Sequence, residues 1–158
     1  RQMCIRDRYN TRDVIGDDSF LLLESDLVFE RKALLSLLDD EFPDVMLVSF
    51  LTKFQDQYYV EYDRNHILTS CSVDKDALEA KGELVGIHKL SNTFYRRMCA
   101  DYATILESQP KLGYEYELLR MSRSVSPVRV LRVEGLKWYE IDDEADLSYA
   151  EEHIIRYC

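Results

Sequence analysis

Two groups of acidic residues follow predicted strands, at positions where a sheet presents side chains to ligands. Glu24-Ser25-Asp26 comes directly after a short apolar run, and Glu140-Ile141-Asp142-Asp143 also comes after a predicted strand. Carboxylates at such strand ends lie where α/β sheets bind ligands, and their oxygens suit a divalent cation. The alternative is local: Asp26 caps the following turn or helix, and an Asp before a helix is a common N-cap. For either group taken alone, capping is the more frequent role.

The two groups together favour a metal site over two independent caps. One carboxylate from each strand end would hold a single Mg²⁺, which bridges the α-phosphate of a nucleotide and the phosphate of an acceptor. The ion neutralises charge in the transition state and aligns an in-line attack, so no covalent nucleophile is needed. Accordingly, no Ser/His/Asp or Cys/His arrangement stands out. We expect His66 in a turn, His88 in a structural role on a strand and His153 in solvent.

The composition indicates one acidic globular domain. The 158 residues are 46% hydrophobic and 32% charged, with a formal net charge of -10, and they suffice for a core. Such a chain repels phosphate backbones, so we expect no non-specific binding of nucleic acid, whereas Mg²⁺ can still bridge it to small phosphorylated substrates. The four scattered cysteines indicate reduced thiols in a cytoplasmic protein. No apolar run is long enough for membrane insertion.

The apolar pattern predicts an α/β fold with a mixed, mostly parallel sheet flanked by helices, and a β-hairpin. Residues 20–24 and 45–50 read as buried strands joined by a helix at residues 30–39, a unit for which a right-handed crossover is expected. The hairpin has strands at residues 57–62 and 67–71. Further strands are predicted at residues 83–90, 128–133 and 137–141, and helices at residues 91–108, 114–121 and from 142 or 143 onward, the last with Leu147, Ala150 and Ile154 facing inward.

Three stretches resemble a known enzyme family. Residues 22–30 (LLESDLVFE) resemble the segment of nucleotidyltransferases that carries their first metal-binding Asp, and residues 82–91 (GELVGIHKLS) resemble their acceptor-site strand. Residues 135–147 (GLKWYEIDDEADL) resemble the closing motif that carries the second metal-binding Asp. The most similar branch is the phosphocholine cytidylyltransferase-like group, which includes relatives that activate aminoethylphosphonate. The likeness runs from about Tyr9 to the end of the chain and implies a Rossmann-like nucleotidyltransferase fold.

The resemblance assigns roles to single residues. Asp26 and Asp142 are implied as the catalytic residues and the Mg²⁺ ligands, and Asp143 as a helix cap. The residues implied to line or surround the acceptor are Glu83, Gly86, Tyr114, Tyr116, Glu117, Trp138 and Tyr139. Aromatic faces and a carboxylate stabilise a quaternary ammonium, with about 0.5–2 kcal/mol for each cation–π contact. Because the chain has 11 Tyr, core packing is the alternative for each of these aromatic residues.

The implied function is transfer of a nucleoside monophosphate, with CTP as the expected donor, to phosphocholine or a similar phosphorylated amine or phosphonate. Pyrophosphate is released. One alternative keeps the fold and takes a sugar 1-phosphate as the acceptor, although the aromatic residues Trp138 and Tyr139 favour the amine. The other alternative is a non-catalytic binding domain on the same fold, against which the presence of both Asp26 and Asp142 argues.

The sequence departs from the family pattern at its beginning. The family opens with a Gly-rich loop and a basic residue that cradle the triphosphate, and the same portion recognises the base. Neither feature is found here, so we expect residues 9–158 to be the C-terminal two-thirds of one nucleotidyltransferase domain. We also expect that this chain alone does not catalyse the transfer reaction. Residues 1–8 are polar, basic and aperiodic, and we expect them to be extraneous sequence.

Overall fold

A mixed β-sheet organises the chain in a computed structural model, which describes residues 5–51 and 58–158. The strands are β1 (Phe20–Leu23), β2 (Leu27–Phe29), β3 (Val45–Ser49), β4 (Tyr59–Tyr62), β5 (Leu68–Ser72), β6 (Gly82–Leu90), β7 (Arg129–Arg132) and β8 (Trp138–Glu140). The α-helices are α1 (Ile5–Asn10), α2 (Lys32–Asp39), α3 (Asn92–Ile105), α4 (Tyr114–Ser124) and α5 (Glu144–His153). Strands β2 and β8 form a separate two-stranded ribbon.

Strand β6 is the centre of the main sheet, whose order is β5-β4-β6-β3-β7. Strand β3 covers one edge of β6, and the other edge is shared by β4 at its start and β1 at its end. Both β1 and β3 are antiparallel to β6, so they run in the same direction without being neighbours. The predicted mixed sheet with flanking helices is confirmed, but among the described strand pairs the parallel pairing is limited to β3 and β7.

Both faces of the sheet are covered, which explains the continuous apolar run of strand β3. All five residues of β3 are buried. Its side chains alternate between two core clusters: Met46 and Val48 pack with α3 and α4, whereas Val45 and Leu47 pack with α2 and Trp138. Alternation with a period of two is the geometry of a strand, so one strand supplies both halves of the core.

Several local predictions differ from the observed elements. The hairpin of β4 and β5 is confirmed, although Gln57 lies outside the described residues. Leu147 is 42% exposed, so its predicted inward position in α5 is wrong, while Ala150 and Ile154 are buried. Ile5 is 1% exposed and α1 packs on α3 and α4. Within residues 1–8, positions 5–8 therefore pack with the fold, and the extraneous origin of the segment stays a prediction.

None of the helices within residues 5–51 and 58–158 has the length and apolar character needed to cross a membrane.

Candidate metal and substrate site

Three carboxylates come together where the main sheet meets the β2–β8 ribbon. One oxygen from each of Glu24, Asp26 and Glu140 lies within 4.8 Å of the other two, and all three residues are partly exposed. Mg²⁺ binds oxygen at about 2.0–2.1 Å, so opposite ligands stand about 4.2 Å apart. The three oxygens of this carboxylate group are therefore spaced in the range that ligands of one such ion would need. Like charges at such distances repel each other, and a divalent cation relieves that repulsion.

The backbone brings these side chains together from distant parts of the chain. Glu24 follows β1 directly, and its amide donates to the carbonyl of Gly86 on β6 at 3.0 Å. Asp26 directly precedes β2, in which Leu27 pairs with Glu140 of β8. The short turn between β1 and β2 thus carries two of the carboxylates, and the end of β8 carries the third. The carboxyl end of β1 lies at this site, as expected for an α/β sheet.

Asp142, the second ligand that the resemblance implies, stands two residues beyond Glu140 and is not a member of the carboxylate group. It is exposed, and its amide donates to Oδ2 of Asp146 at 3.0 Å. The role of Asp143 as a helix cap is confirmed, because it accepts the amide of Asp146 in a capping box at the start of α5. The geometry makes Glu140 a competing candidate for the ligand beside Asp26, and the metal role of Asp142 stays a prediction.

A glycine provides the space that the Glu24 carboxylate occupies. Gly86 has φ +78°, which is the left-handed region that disfavours residues with a Cβ. A Cβ at this position would stand 2.7 Å from Cδ of Glu24 and closer still to Oε2. The resemblance placed Gly86 in the acceptor pocket, whereas its observed neighbour is the carboxylate of Glu24. The absence of a side chain at residue 86 is what permits that carboxylate to lie there.

A buried tyrosine and a buried histidine support the same carboxylate. The hydroxyl of Tyr114 donates to Oε1 of Glu24 at 2.7 Å, and Nε2 of His88 lies 3.0 Å from that hydroxyl. Burial, together with the negative charge of Glu24, raises the pKa of Tyr114 well above its usual value, so the hydroxyl keeps its proton. Burial lowers the pKa of His88 to about 3, so its imidazole is neutral. The hydroxyl of Tyr114 is thus bonded to the carboxylate group, and its expected role at the acceptor stays a prediction.

A further buried carboxylate, Glu115, lies beside two aromatic rings. Burial is the main cause that raises the pKa of Glu115 to about 8, and the nearby charge of Glu24 also raises it. The carboxyl group interacts with the hydroxyl of Tyr58, while its Oε2 is buried and bonds to no residue in the described part of the chain. The rings of Tyr58 and Tyr116 meet edge to face, with centroids 5.6 Å apart. A buried carboxylate flanked by aromatic rings suits a cationic ligand.

Four other residues predicted at the acceptor pack in the core or form side-chain hydrogen bonds. Trp138 is 5% exposed within the core under α2, and Glu83 is fully buried on β6. Glu117 accepts from Nε of Arg120 at 3.1 Å on the buried face of α4. The hydroxyl of Tyr139 bonds at 3.3 Å to the first turn of α5. These contacts are typical of structural residues, and a role for the four at an acceptor stays a prediction.

The sequence contained weak signals for the residues that the prediction missed. Strand alternation places Glu140 on the same face as the buried Trp138, whereas Asp142 lies beyond the strand. Glu115 stands three residues before the buried Leu118 and therefore on the inner face of α4. No local pattern pointed to the contact of His88 with a helix that begins 26 residues later.

No protein-family model matches the chain. Among solved structures, it is similar to the inositol-1-phosphate CTP transferase from T. maritima, with 19% identity and a TM-score of 0.70 over 90% of this chain and 56% of that one. It is similar to the CTP:phosphocholine cytidylyltransferase from Streptococcus pneumoniae, with 15% identity and a TM-score of 0.67 over 96% of this chain and 63% of that one. It is also similar to a protein from Bacillus anthracis assigned as a glucose-1-phosphate thymidylyltransferase, with 11% identity and a TM-score of 0.69 over 96% of this chain and 62% of that one.

The similarity establishes the class of fold, which is the mixed α/β fold of these nucleotidyltransferases. The chain spans 56–63% of the length of the three structures.

Proposed function

We propose that this chain acts in nucleotidyl transfer, in which a nucleoside monophosphate from CTP is joined to a phosphorylated amine or phosphonate such as phosphocholine. The observation that carries the proposal is the carboxylate group of Glu24, Asp26 and Glu140 at a strand end. The chain shares its fold with a CTP transferase and a CTP:phosphocholine cytidylyltransferase. The chain spans less than two-thirds of those structures, so the proposal concerns the activity of the whole protein.

The donor set fits Mg²⁺. All three side chains offer carboxylate oxygens, which are hard ligands of the kind that Mg²⁺ binds. Asp26 belongs both to the carboxylate group and to the ligand pair that the resemblance implies, and Glu24 belongs to the carboxylate group alone. Glu140 and Asp142 compete for the remaining position. When bound, the ion polarises phosphoryl oxygens and screens the charge that develops as pyrophosphate leaves. The chain itself contributes the fixed positions of the carboxylates.

The surroundings of Glu115 support an amine as the acceptor. An ammonium group beside this buried carboxylate would stabilise its ionised form and lower its raised pKa. The rings of Tyr58 and Tyr116 would add cation–π contacts of about 0.5–2 kcal/mol each. A neutral sugar gains neither effect. The sugar 1-phosphate alternative keeps one specific support, which is the similarity to the protein assigned as a glucose-1-phosphate thymidylyltransferase.

Acceptor binding to the chain as it exists tests this proposal. We expect isothermal titration calorimetry to detect phosphocholine binding that requires Mg²⁺, is lost in Asp26→Asn and is weakened in Glu115→Gln. We expect weaker binding of glucose 1-phosphate under the same conditions. Tighter binding of glucose 1-phosphate would favour the sugar alternative. Absence of any Mg²⁺-dependent binding of either phosphate would contradict a role in nucleotidyl transfer.

Two matched substitutions decide whether Glu140 or Asp142 is the metal ligand contributed by the segment at the end of β8. Glu140→Gln and Asp142→Asn each remove one charge from the same short segment, and each keeps the shape of the side chain. If Glu140 is the ligand, as the carboxylate group indicates, its variant weakens Mg²⁺ binding and the Asp142 variant does not. The reverse result would support the assignment made from the resemblance.

A further inference from the structure

Counting protons fixes the direction of the hydrogen bonds around Tyr114. A phenol carries one proton, and an ionised carboxylate can accept but cannot donate. The proton of Tyr114 therefore lies in its 2.7 Å bond to Oε1 of Glu24. The hydroxyl oxygen is left as an acceptor, so Nε2 of His88, 3.0 Å away, is the donor to it. The bonds run in one direction, from His88 through Tyr114 to Glu24.

His88 can fill this position in one tautomer. The neutral imidazole has one N–H, and only a proton on Nε2 makes the contact with Tyr114 attractive. The other tautomer would set two lone pairs against each other and would leave an N–H on Nδ1. Nδ1 is buried and bonds to no residue within 5–51 and 58–158. Leaving it there as an unpaired acceptor costs less free energy than leaving it there as an unpaired N–H donor. The geometry thus assigns the proton of His88 to Nε2.

The support for Glu24 consists of buried side chains and backbone hydrogen bonding. Tyr114 and His88 are both fully buried, and their rings meet edge to face with centroids 5.4 Å apart. The amide of Glu24 is tied to the carbonyl of Gly86, and its carboxylate rests against the same glycine. A free Glu side chain loses rotamer entropy when it binds an ion. Here that freedom is already restricted before any ion arrives, and such preorganisation favours binding.

We propose that Tyr114, oriented by His88, is a positioning residue that presets Glu24 for a divalent cation shared with Asp26 and Glu140. The inference rests on the metal role in the proposed function and adds to it a buried layer behind the ligands. Without the hydroxyl, Glu24 is repelled by the two neighbouring carboxylates and is free to turn away. Loss of such a supporting partner typically weakens metal affinity about 10- to 100-fold.

The test measures binding of Mn²⁺, used as the probe ion, by electron paramagnetic resonance of the free ion with the full 158-residue chain. Tyr114→Phe removes one hydroxyl and keeps the ring, and we expect the dissociation constant for Mn²⁺ to rise about 10- to 100-fold. Tyr102→Phe is the matched control, because Tyr102 is also fully buried and its hydroxyl donates to the carbonyl of Pro110 at 3.4 Å. The control should bind Mn²⁺ like the unaltered chain. Unchanged affinity in Tyr114→Phe would overturn the inference.

A double-mutant cycle separates positioning from a general loss of structure. If Tyr114 acts through Glu24, then Tyr114→Phe causes no further weakening in a chain that already carries Glu24→Gln. An equal weakening in both backgrounds would mean that Tyr114 acts independently of Glu24, and it would overturn the inference.

The tautomer of His88 gives a readout that needs no variant to fold. Nitrogen-15 NMR of the unaltered chain should show the proton of His88 on Nε2, and a proton on Nδ1 would contradict the direction of the bonds.

The variant Asp26→Asn distinguishes a failure of the positioning role of Tyr114 from a failure of the metal role in the proposed function. If Asp26→Asn abolishes Mn²⁺ binding while Tyr114→Phe leaves it intact, the metal role stands and the positioning role fails. If the unaltered chain binds no Mn²⁺, or if Asp26→Asn binds it normally, the metal role fails and the inference fails with it.

Discussion

The substitution Gly86→Ala tests whether the absence of a side chain at residue 86 is what allows the Glu24 carboxylate to occupy its observed position. Two costs are expected. The backbone has φ +78°, and a Cβ in this left-handed conformation costs about 1–2 kcal/mol. In addition, the new Cβ would stand 2.7 Å from Cδ of Glu24, so the carboxylate must leave its position and its bond to Tyr114. The free energy of unfolding should fall by more than the conformational cost alone, and Mn²⁺ affinity should fall about 10- to 100-fold.

Gly135→Ala is a matched control for this substitution. Gly135 also has a positive φ, +66°, but no atom lies within 4 Å of the position that its Cβ would take. This variant should lose about 1–2 kcal/mol of stability and keep its Mn²⁺ affinity. Adding Glu24→Ala should relieve the clash of Gly86→Ala, so in that background its cost in stability should shrink to that of Gly135→Ala.

Urea unfolding followed by circular dichroism, together with Mn²⁺ titration, measures both quantities for each variant. Normal Mn²⁺ affinity in Gly86→Ala would contradict the metal role of Glu24, because it would mean that the position of its carboxylate does not matter for the ion. Equal losses of stability in Gly86→Ala and Gly135→Ala would refute the steric clash.

Three further predictions concern single residues. The pKa of Glu115 is raised from 4.5 to about 8, so the folded state binds more protons than the unfolded state and stability should fall as pH rises from about 4.5 to 8; Glu115→Gln should flatten this dependence in urea unfolding measured across that range. Asp143→Ala removes the cap of α5 and should cost about 1 kcal/mol in thermal or urea unfolding, without change in Mn²⁺ affinity. Trp138→Phe leaves a cavity in the core and should lower the free energy of unfolding. Calorimetry should find that this variant still binds phosphocholine. Loss of phosphocholine binding without loss of stability would instead support the predicted role of Trp138 at the acceptor.

The sequence predicted those parts of the fold whose cause is local. Strand β3 is buried on both faces and therefore appears as a continuous apolar run, and the β4–β5 hairpin has its turn between two alternating stretches. Strand β2 was missed because its three residues are held by pairing with β8, more than one hundred residues later. The direction of the strands was also misjudged, since a run buried on both faces looks the same in a parallel and in an antiparallel position.

The acidic character of the candidate site could be predicted from the sequence, but the identity of each residue in it could not. The acidic turn with Asp26 and the acidic end of β8 were both found from the sequence, but the choice between Glu140 and Asp142 depends on where β8 ends and α5 begins. The ends of strands and helices are the part of a fold that sequence patterns define least sharply. The support from Tyr114 and His88 joins residues 26 and 90 positions apart, so no local pattern reports it.

Binding of Mn²⁺ to the unaltered chain and to Asp26→Asn, with Mg²⁺ as the competitor, tests most directly whether the carboxylate group holds a divalent cation. Asp76→Asn, which removes an exposed carboxylate from the turn Lys75–Ala77, controls for the change in net charge. We expect one ion per chain, displaced by Mg²⁺, with binding lost in Asp26→Asn and kept in Asp76→Asn. Equal binding by the unaltered chain and both variants would contradict this expectation, because the carboxylate group at the end of β1 would then not be the site of the ion.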